Sequence, residues 1–298
     1  MRTLNPVQRA YVMMHVAILL YGFTAILGRL IELPGITITV YRMGITLLSL
    51  LLIPGALKAA RSLSRPQQGK IAFIGVLMAV HWVTFFQAIK LSNVSITLSV
   101  LASTALFTAL IEPLFFRRRI QWYELLLAGM VIVGFLFIFE VAGERYWVGM
   151  IVALVSAVVI ALASVINKSV VEEIDNVFAI TLIEFVAGVL ILLAVFPVYV
   201  QFFPDTLVVP QSGMDWLYLT ILALLCTTLA YSLTMLALKH VSAFTTTLSI
   251  NLEPIYGMLM AAAFFQENEE LGWRFYIGAA IILASVVVYP MLKKVRSG

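Results

Sequence analysis

Residues 88–139 read AIKLSNVSITLSVLASTALFTALIEPLFFRRRIQWYELLLAGMVIVGFLFIF, and residues 237–288 read ALKHVSAFTTTLSINLEPIYGMLMAAAFFQENEELGWRFYIGAAIILASVVV. Moved by 149 positions, one segment lies on the other without a gap. Ala88 meets Ala237, Lys90 meets Lys239, Thr97 meets Thr246, Phe115-Phe116 meet Phe264-Phe265 and Gly129 meets Gly278. Each segment holds two apolar runs and the loop between them, so the chain carries an internal repeat, a first half over 1–140 and a second over 141–298. A repeat unit with an odd number of spans must cross a membrane in opposite senses in its two copies. Inverted repeats are a recurring plan of secondary transporters, because exchanging the conformations of the halves exchanges access from one side for access from the other.

The composition agrees with this plan. The 298 residues are 62% hydrophobic and only 11% charged, with a mean hydropathy of +1.05. That leaves too little polar surface for a soluble domain. Apolar runs of about 20 residues match the length needed to cross a hydrocarbon core. Ten can be drawn, at 10–28, 37–57, 70–89, 95–116, 123–139, 147–166, 177–199, 215–238, 243–265 and 273–292. The expected fold is therefore an all-α membrane protein with ten transmembrane helices in two inverted five-helix repeats. A β-barrel would alternate in short segments instead. The first run follows Arg2 and Arg9 and lacks a small-residue cleavage site, so it reads as a retained helix. The lone Cys226 excludes an intramolecular disulfide.

A pI near 9.2 can signal nucleic acid, but here the basic residues sit in short loops beside the spans, and no nucleic-acid partner is expected. With the N-terminus inside, 14 of the 19 Lys and Arg fall on the cytoplasmic side and 4 on the other, with Arg42 inside a span. The positive-inside rule then places both termini in the cytoplasm of a multi-pass protein of the cell (inner) membrane. Ten spans satisfy that parity.

Two five-helix halves, the early Arg of the second span and the stretch ALKHVSAFTTTLSINLEPIYGMLMAAAFFQENEELGWRFYIGAAIILA resemble the EamA-like transporters of the drug/metabolite transporter superfamily. The resemblance covers nearly the whole chain and is strongest over residues 231–289. Gln266-Glu267 stands where the family usually has Gly-Glu; in the first half Ala105 replaces an expected proline and Arg117-Arg118 replaces Gly-Glu. The resemblance implies a carrier, usually an exporter of small metabolites or amino acids, with a central cavity between spans one to four and six to nine.

Ionisable groups within spans are the candidate site residues, since each costs roughly 2.5–3.5 kcal/mol to insert and is retained for a partner or a watery cavity. Arg42, in TVYRMGITLL, suits a carboxylate through its two-pronged guanidinium. Aligning Thr39 with Thr181 gives it Glu184 as its repeat mate, a carboxylate able to pair with it across the centre. Glu253 precedes Pro254, which lacks an N–H and frees the carbonyl of Ile250 in the helix. Such a break, beside Asn251 and Glu253, is a typical coordination site of carriers. The first-half mate, Thr104-Ala105, offers a hydroxyl without the kink. Trp82 and Tyr231 are repeat mates in spans three and eight, fit to line an aromatic cavity that holds a cation by π attraction. Tyr21 and Thr24 are weaker candidates. Glu253 and His81 are candidates for proton coupling, with His15 a lesser one, and Glu112 near Arg117 reads as a boundary ion pair.

Other classes lack their signatures. The three histidines are 66 and 159 residues apart, no glycine has serine two positions later, the aspartates fall in loops, and no phosphate-binding Gly-x-x-x-x-Gly-Lys is present. Neither enzyme chemistry, a metal nor a cofactor is expected. A channel is the lesser alternative, since isolated, asymmetric charges suit an occluding site better than a pore. The expected function is secondary transport of a small metabolite such as an amino acid, by alternating access. Arg42 is expected at its carboxylate and Glu184 or Glu253 at its ammonium. Export of cationic drugs by proton antiport is the other reading. The partners expected are the solute and the lipid bilayer, with the protein a monomer or homodimer.

Overall fold

The computed structural model describes residues 5–117, 121–171, 173–174, 176–238, 249–250 and 252–297. Among these residues all regular structure is helical. Helix α1 (Pro6–Leu30) starts in a capping box, Asn5 Oδ1 accepting from the Gln8 amide at 2.8 Å while Gln8 Oε1 accepts from the Asn5 amide at 3.1 Å. The box satisfies two amides that the first turn leaves open. Helix α2 (Gly35–Leu51) is followed by a short α3 (Ala56–Ser62) bent from it by 96°, with Gly55 at φ 82° on the corner. The second span thus ends at Leu51, short of the expected 57, because Pro54 and Gly55 stop the helix. Helix α4 (Arg65–Leu91) is long and continuous.

The fourth span is broken. It consists of α5 (Val94–Leu101) and α6 (Thr104–Phe116), with a turn at Ala102-Ser103. This corrects the expectation of an unkinked helix there: no proline is needed. The carbonyls of Val100 and Leu101 take the Ser103 and Thr104 hydroxyls at 2.6 and 2.7 Å, local side-chain bonds that compete with the helical ladder. The mate of α6 is α11 (Glu253–Phe265), displaced by the same 149 positions at both ends. Both are 13 residues long, and both stop on a left-handed residue, Arg117 at φ 49° and Gln266 at φ 56°. Glu253 and Pro254 open α11, so the proline lies in a first turn, where its missing N–H costs nothing.

Helix α7 (Trp122–Val171) has 50 residues, but Gly143 (φ 61°, ψ −170°) divides it into two crossings. Helix α8 (Val177–Phe202) follows. The eighth span is α9 (Gly213–Ala223), a π-helical turn (Leu224–Leu229) and α10 (Ala230–Leu238), and α12 (Glu267–Ser297) is the last helix. Six helical runs among the described residues are long and apolar enough to cross a membrane, seven if α2 and α3 form one span. The ten spans expected from the sequence correspond, among the described residues and in chain order, to α1, α2, α4, α5–α6, the two halves of α7, α8, α9–α10, α11 and α12.

Contacts at the two ends of the bundle follow strict alternation of direction. At one end, Asp215 Oδ1 accepts from the Glu32 amide at 2.9 Å, and Lys90 Nζ donates to the carbonyls of Arg29 and Ile31. At that end, too, Glu267 accepts the amides of Val94 and Ser95 at 3.0 and 2.8 Å, and Arg274 pairs with Glu140. At the other, Lys168 pairs with Glu112 at 2.6 Å and Lys70 with Glu173 at 3.6 Å. The packing is also symmetric between the halves. Helix α1 packs on α10 and α11, α7 on α4 and α6, and α12 on α7. Helix α4 meets α8 closely at Gly75, where a Cβ would stand 2.1 Å from the carbonyl oxygen of Glu184.

Candidate functional site

A cavity of about 450 Å³ lies inside the bundle, within the range of small-molecule sites. Each wall is one face of a helix. Ile160, Ala163, Ser164 and Asn167 form a stripe on α7 at the helical repeat, and Thr181, Glu184 and Phe185 form one on α8. Leu50, Ile74 and Asn167 extend the lining toward the end of the bundle that carries the Lys168–Glu112 and Lys70–Glu173 pairs.

Arg42 is its most constrained member. It comes from the middle of α2, is 4% exposed, and donates from Nε to Thr227 Oγ1 at 3.0 Å. Thr227 can accept because the π-turn of the eighth span carries its own hydroxyl proton to the carbonyl of Leu222 at 2.8 Å, five residues back. Such π-turns recur at functional sites. The guanidinium carbon lies 4.1 Å above the centre of the Trp82 ring and 5.6 Å from that of Phe86, a desolvated cation–π arrangement. The Nη1 atom is buried with no partner. One face of Trp82 is thus occupied by Arg42, while Trp82 still lines the cavity.

Among the described residues no carboxylate stands within ion-pair distance of Arg42, so the expected Arg42–Glu184 bridge is not formed in this structure. Glu253 and Tyr21 line the same cavity as Arg42. Glu184 is 9% exposed, and its Oε1 is buried without a partner. Tyr231 and Thr181 share a hydrogen bond of 2.9 Å between their hydroxyls, and Tyr21 and Thr234 one of 3.1 Å.

Seven predicted residues thus line one cavity: Tyr21, Thr24, Arg42, Trp82, Glu184, Tyr231 and Glu253. His81 also reaches it, but its ring is tied to the α7 wall, with Nδ1 2.8 Å from Ser156 Oγ and stacked on Phe85. Thr104 lies outside the lining, its hydroxyl donated to Leu101. Pro254 shapes the start of α11 beside Glu253 and does not itself line the cavity. Asn251 lies outside the described residues. His15 is on the surface, 3.0 Å from the Tyr256 hydroxyl, and Glu112 pairs with Lys168.

Sequence reasoning missed Thr227, Thr228, Ser164 and Asn167. A Thr-Thr pair inside an apolar run was the available signal for the first two. Asn167 was passed over as the boundary of a span, whereas α7 continues to Val171. No cluster of metal-ligating side chains occurs among the described residues.

Comparison with curated proteins gives no match. Among solved structures, one described only as a crystal structure of a protein is similar at a TM-score of 0.61. It is 17% identical, over 97% of this chain and 99% of that one, so it speaks for the fold alone. The model of the EamA-like transporter family matches residues 8–140 and again residues 147–289. With two matched repeats, an all-helical membrane fold and a cavity walled by both halves, this chain belongs to the EamA-like transporter family of the drug/metabolite transporter superfamily.

Proposed function

We propose that this protein is a secondary transporter that exports a small zwitterionic metabolite, such as an amino acid, across the cell (inner) membrane with both termini in the cytoplasm. The observation that carries this reading is Arg42: a buried guanidinium held by Thr227 and Trp82, with one nitrogen left unpartnered in a cavity of metabolite size. A fixed cation with free donors recognises a carboxylate, and the carboxyl groups of Glu184 and Glu253 in the same cavity complement an ammonium. Two anions beside one guanidinium repel strongly at low dielectric. A solute carboxylate arriving at Arg42 therefore favours a protonated Glu253, which would couple transport to protons. Alternating access follows from the halves 1–140 and 141–298 exchanging conformations about this site.

Proteoliposomes preloaded with an amino-acid and metabolite mixture test it, with efflux followed by mass spectrometry against protein-free vesicles. Selective loss of amino acids, absent in Arg42→Ala of equal insertion, is the expected result. Selective loss of cations without a carboxylate would instead favour drug export, and unselective loss a channel. Full transport by Arg42→Ala rejects the assignment of Arg42.

A further inference from the structure

The cavity has two poles, and they are chemically different. Around Arg42 the unpartnered atom is a donor. On the α7 and α8 walls the buried unpartnered atoms are acceptors, Oε1 of Glu184 and Oδ1 of Asn167. Neither acceptor has a hydrogen-bond partner: the adjacent cation on α7, Lys168, is taken by Glu112 at 2.6 Å, and the Thr181 hydroxyl is engaged by the Val177 carbonyl and the Tyr231 hydroxyl. A buried carboxyl and a buried amide oxygen without donors carry a desolvation penalty that only an incoming donor relieves. A primary ammonium brings three N–H groups and a positive charge. A quaternary ammonium brings none and relies on aromatic faces alone, and one face of Trp82 is already occupied by the Arg42 guanidinium 4.1 Å away.

We propose that Asn167, acting with Glu184, is the specificity determinant for the solute's primary ammonium, while Glu253 is the counter-charge of Arg42. The proposal rests on the zwitterion reading above and divides between the two carboxylates the roles which that reading leaves shared.

The test is solute counterflow in proteoliposomes. The best-transported of the twenty common amino acids is compared with its N,N,N-trimethyl derivative in wild type, Asn167→Leu and Asn167→Asp. Wild type is expected to prefer the primary ammonium. Asn167→Leu loses an acceptor to a charged donor, and its preference falls about tenfold or more; Asn167→Asp keeps the acceptor and holds or raises it. A folded Asn167→Leu, judged by size-exclusion elution and unfolding temperature, that keeps the wild-type preference overturns the role of Asn167. If Asn167→Leu does not fold, Asn167→Asp decides, and a preference lost in it overturns the proposal. Wild-type protein that moves no amino acid refutes the zwitterion reading itself, and this inference with it.

Discussion

Replacing Arg42 by Lys keeps the charge and removes everything else that the structure shows Arg42 doing. Lysine has no planar fork, so the Nε bond to Thr227 at 3.0 Å is lost and the planar stacking 4.1 Å over Trp82 is reduced to the attraction of a point charge. The unpartnered Nη1 loses its fixed direction as well. A hydrogen bond to a charged group contributes roughly 1.5–3 kcal/mol, and a desolvated cation–π contact roughly 2 kcal/mol. Part of that loss falls on folding and part on the solute. Losing one of two prongs on a carboxylate corresponds to about a 10- to 100-fold fall in transport kcat/KM. The assay is initial-rate counterflow in proteoliposomes, with equal protein verified after reconstitution. Thr227→Val is the control, since it frees Nε without touching the charge or the fork. It is expected to weaken transport by less than Arg42→Lys does. Wild-type kcat/KM in Arg42→Lys would show that a point charge suffices, and the two-pronged recognition argued here would be wrong.

Three further outcomes are expected. Gly75→Ala places a methyl 2.1 Å from the backbone oxygen of Glu184. Backbone cannot rotate away, so α4 and α8 must separate, at a cost of about 1–3 kcal/mol seen as a lower unfolding temperature in detergent; an unchanged temperature refutes that packing. Glu267→Gln replaces the carboxylate that accepts two amides at the start of α5. It should cost about 1–2 kcal/mol, since anions favour helix N-termini, and a neutral result would mean that water serves those amides equally well. Glu253→Gln cannot exchange a proton, so a pH dependence of transport present in wild type should flatten; the same profile in the mutant argues against coupling through Glu253.

Much of the architecture is legible in the sequence because both membrane insertion and repetition leave one-dimensional traces. Apolar run length announces the spans, and the ungapped offset of 149 places α6 and α11 at matching ends. Buried ionisable residues stand out for the same reason: Arg42, Glu184 and Glu253 are conspicuous against a chain that is 62% hydrophobic. The aromatic pair Trp82 and Tyr231 followed from the same register, and both line the cavity.

The order of residues alone specified an all-helical membrane chain built of two related halves, and the short list of polar side chains that such a chain must shelter. It did so because hydropathy and spacing act along the chain. Who meets whom came from the way the helices pack. The break at Ala102-Ser103 came without a proline, the π-turn brought Thr227 under Arg42, and one face of Trp82 was occupied by a guanidinium that linear pairing had assigned to Glu184. Asn167 became interesting only when one face of α7 turned it into the cavity that Glu184, with its unpartnered carboxyl oxygen, also lines. These are facts of rotation and approach between helices. A change of one residue in register turns a side chain by about 100°, so they depend on how the helices pack together rather than on any run of sequence.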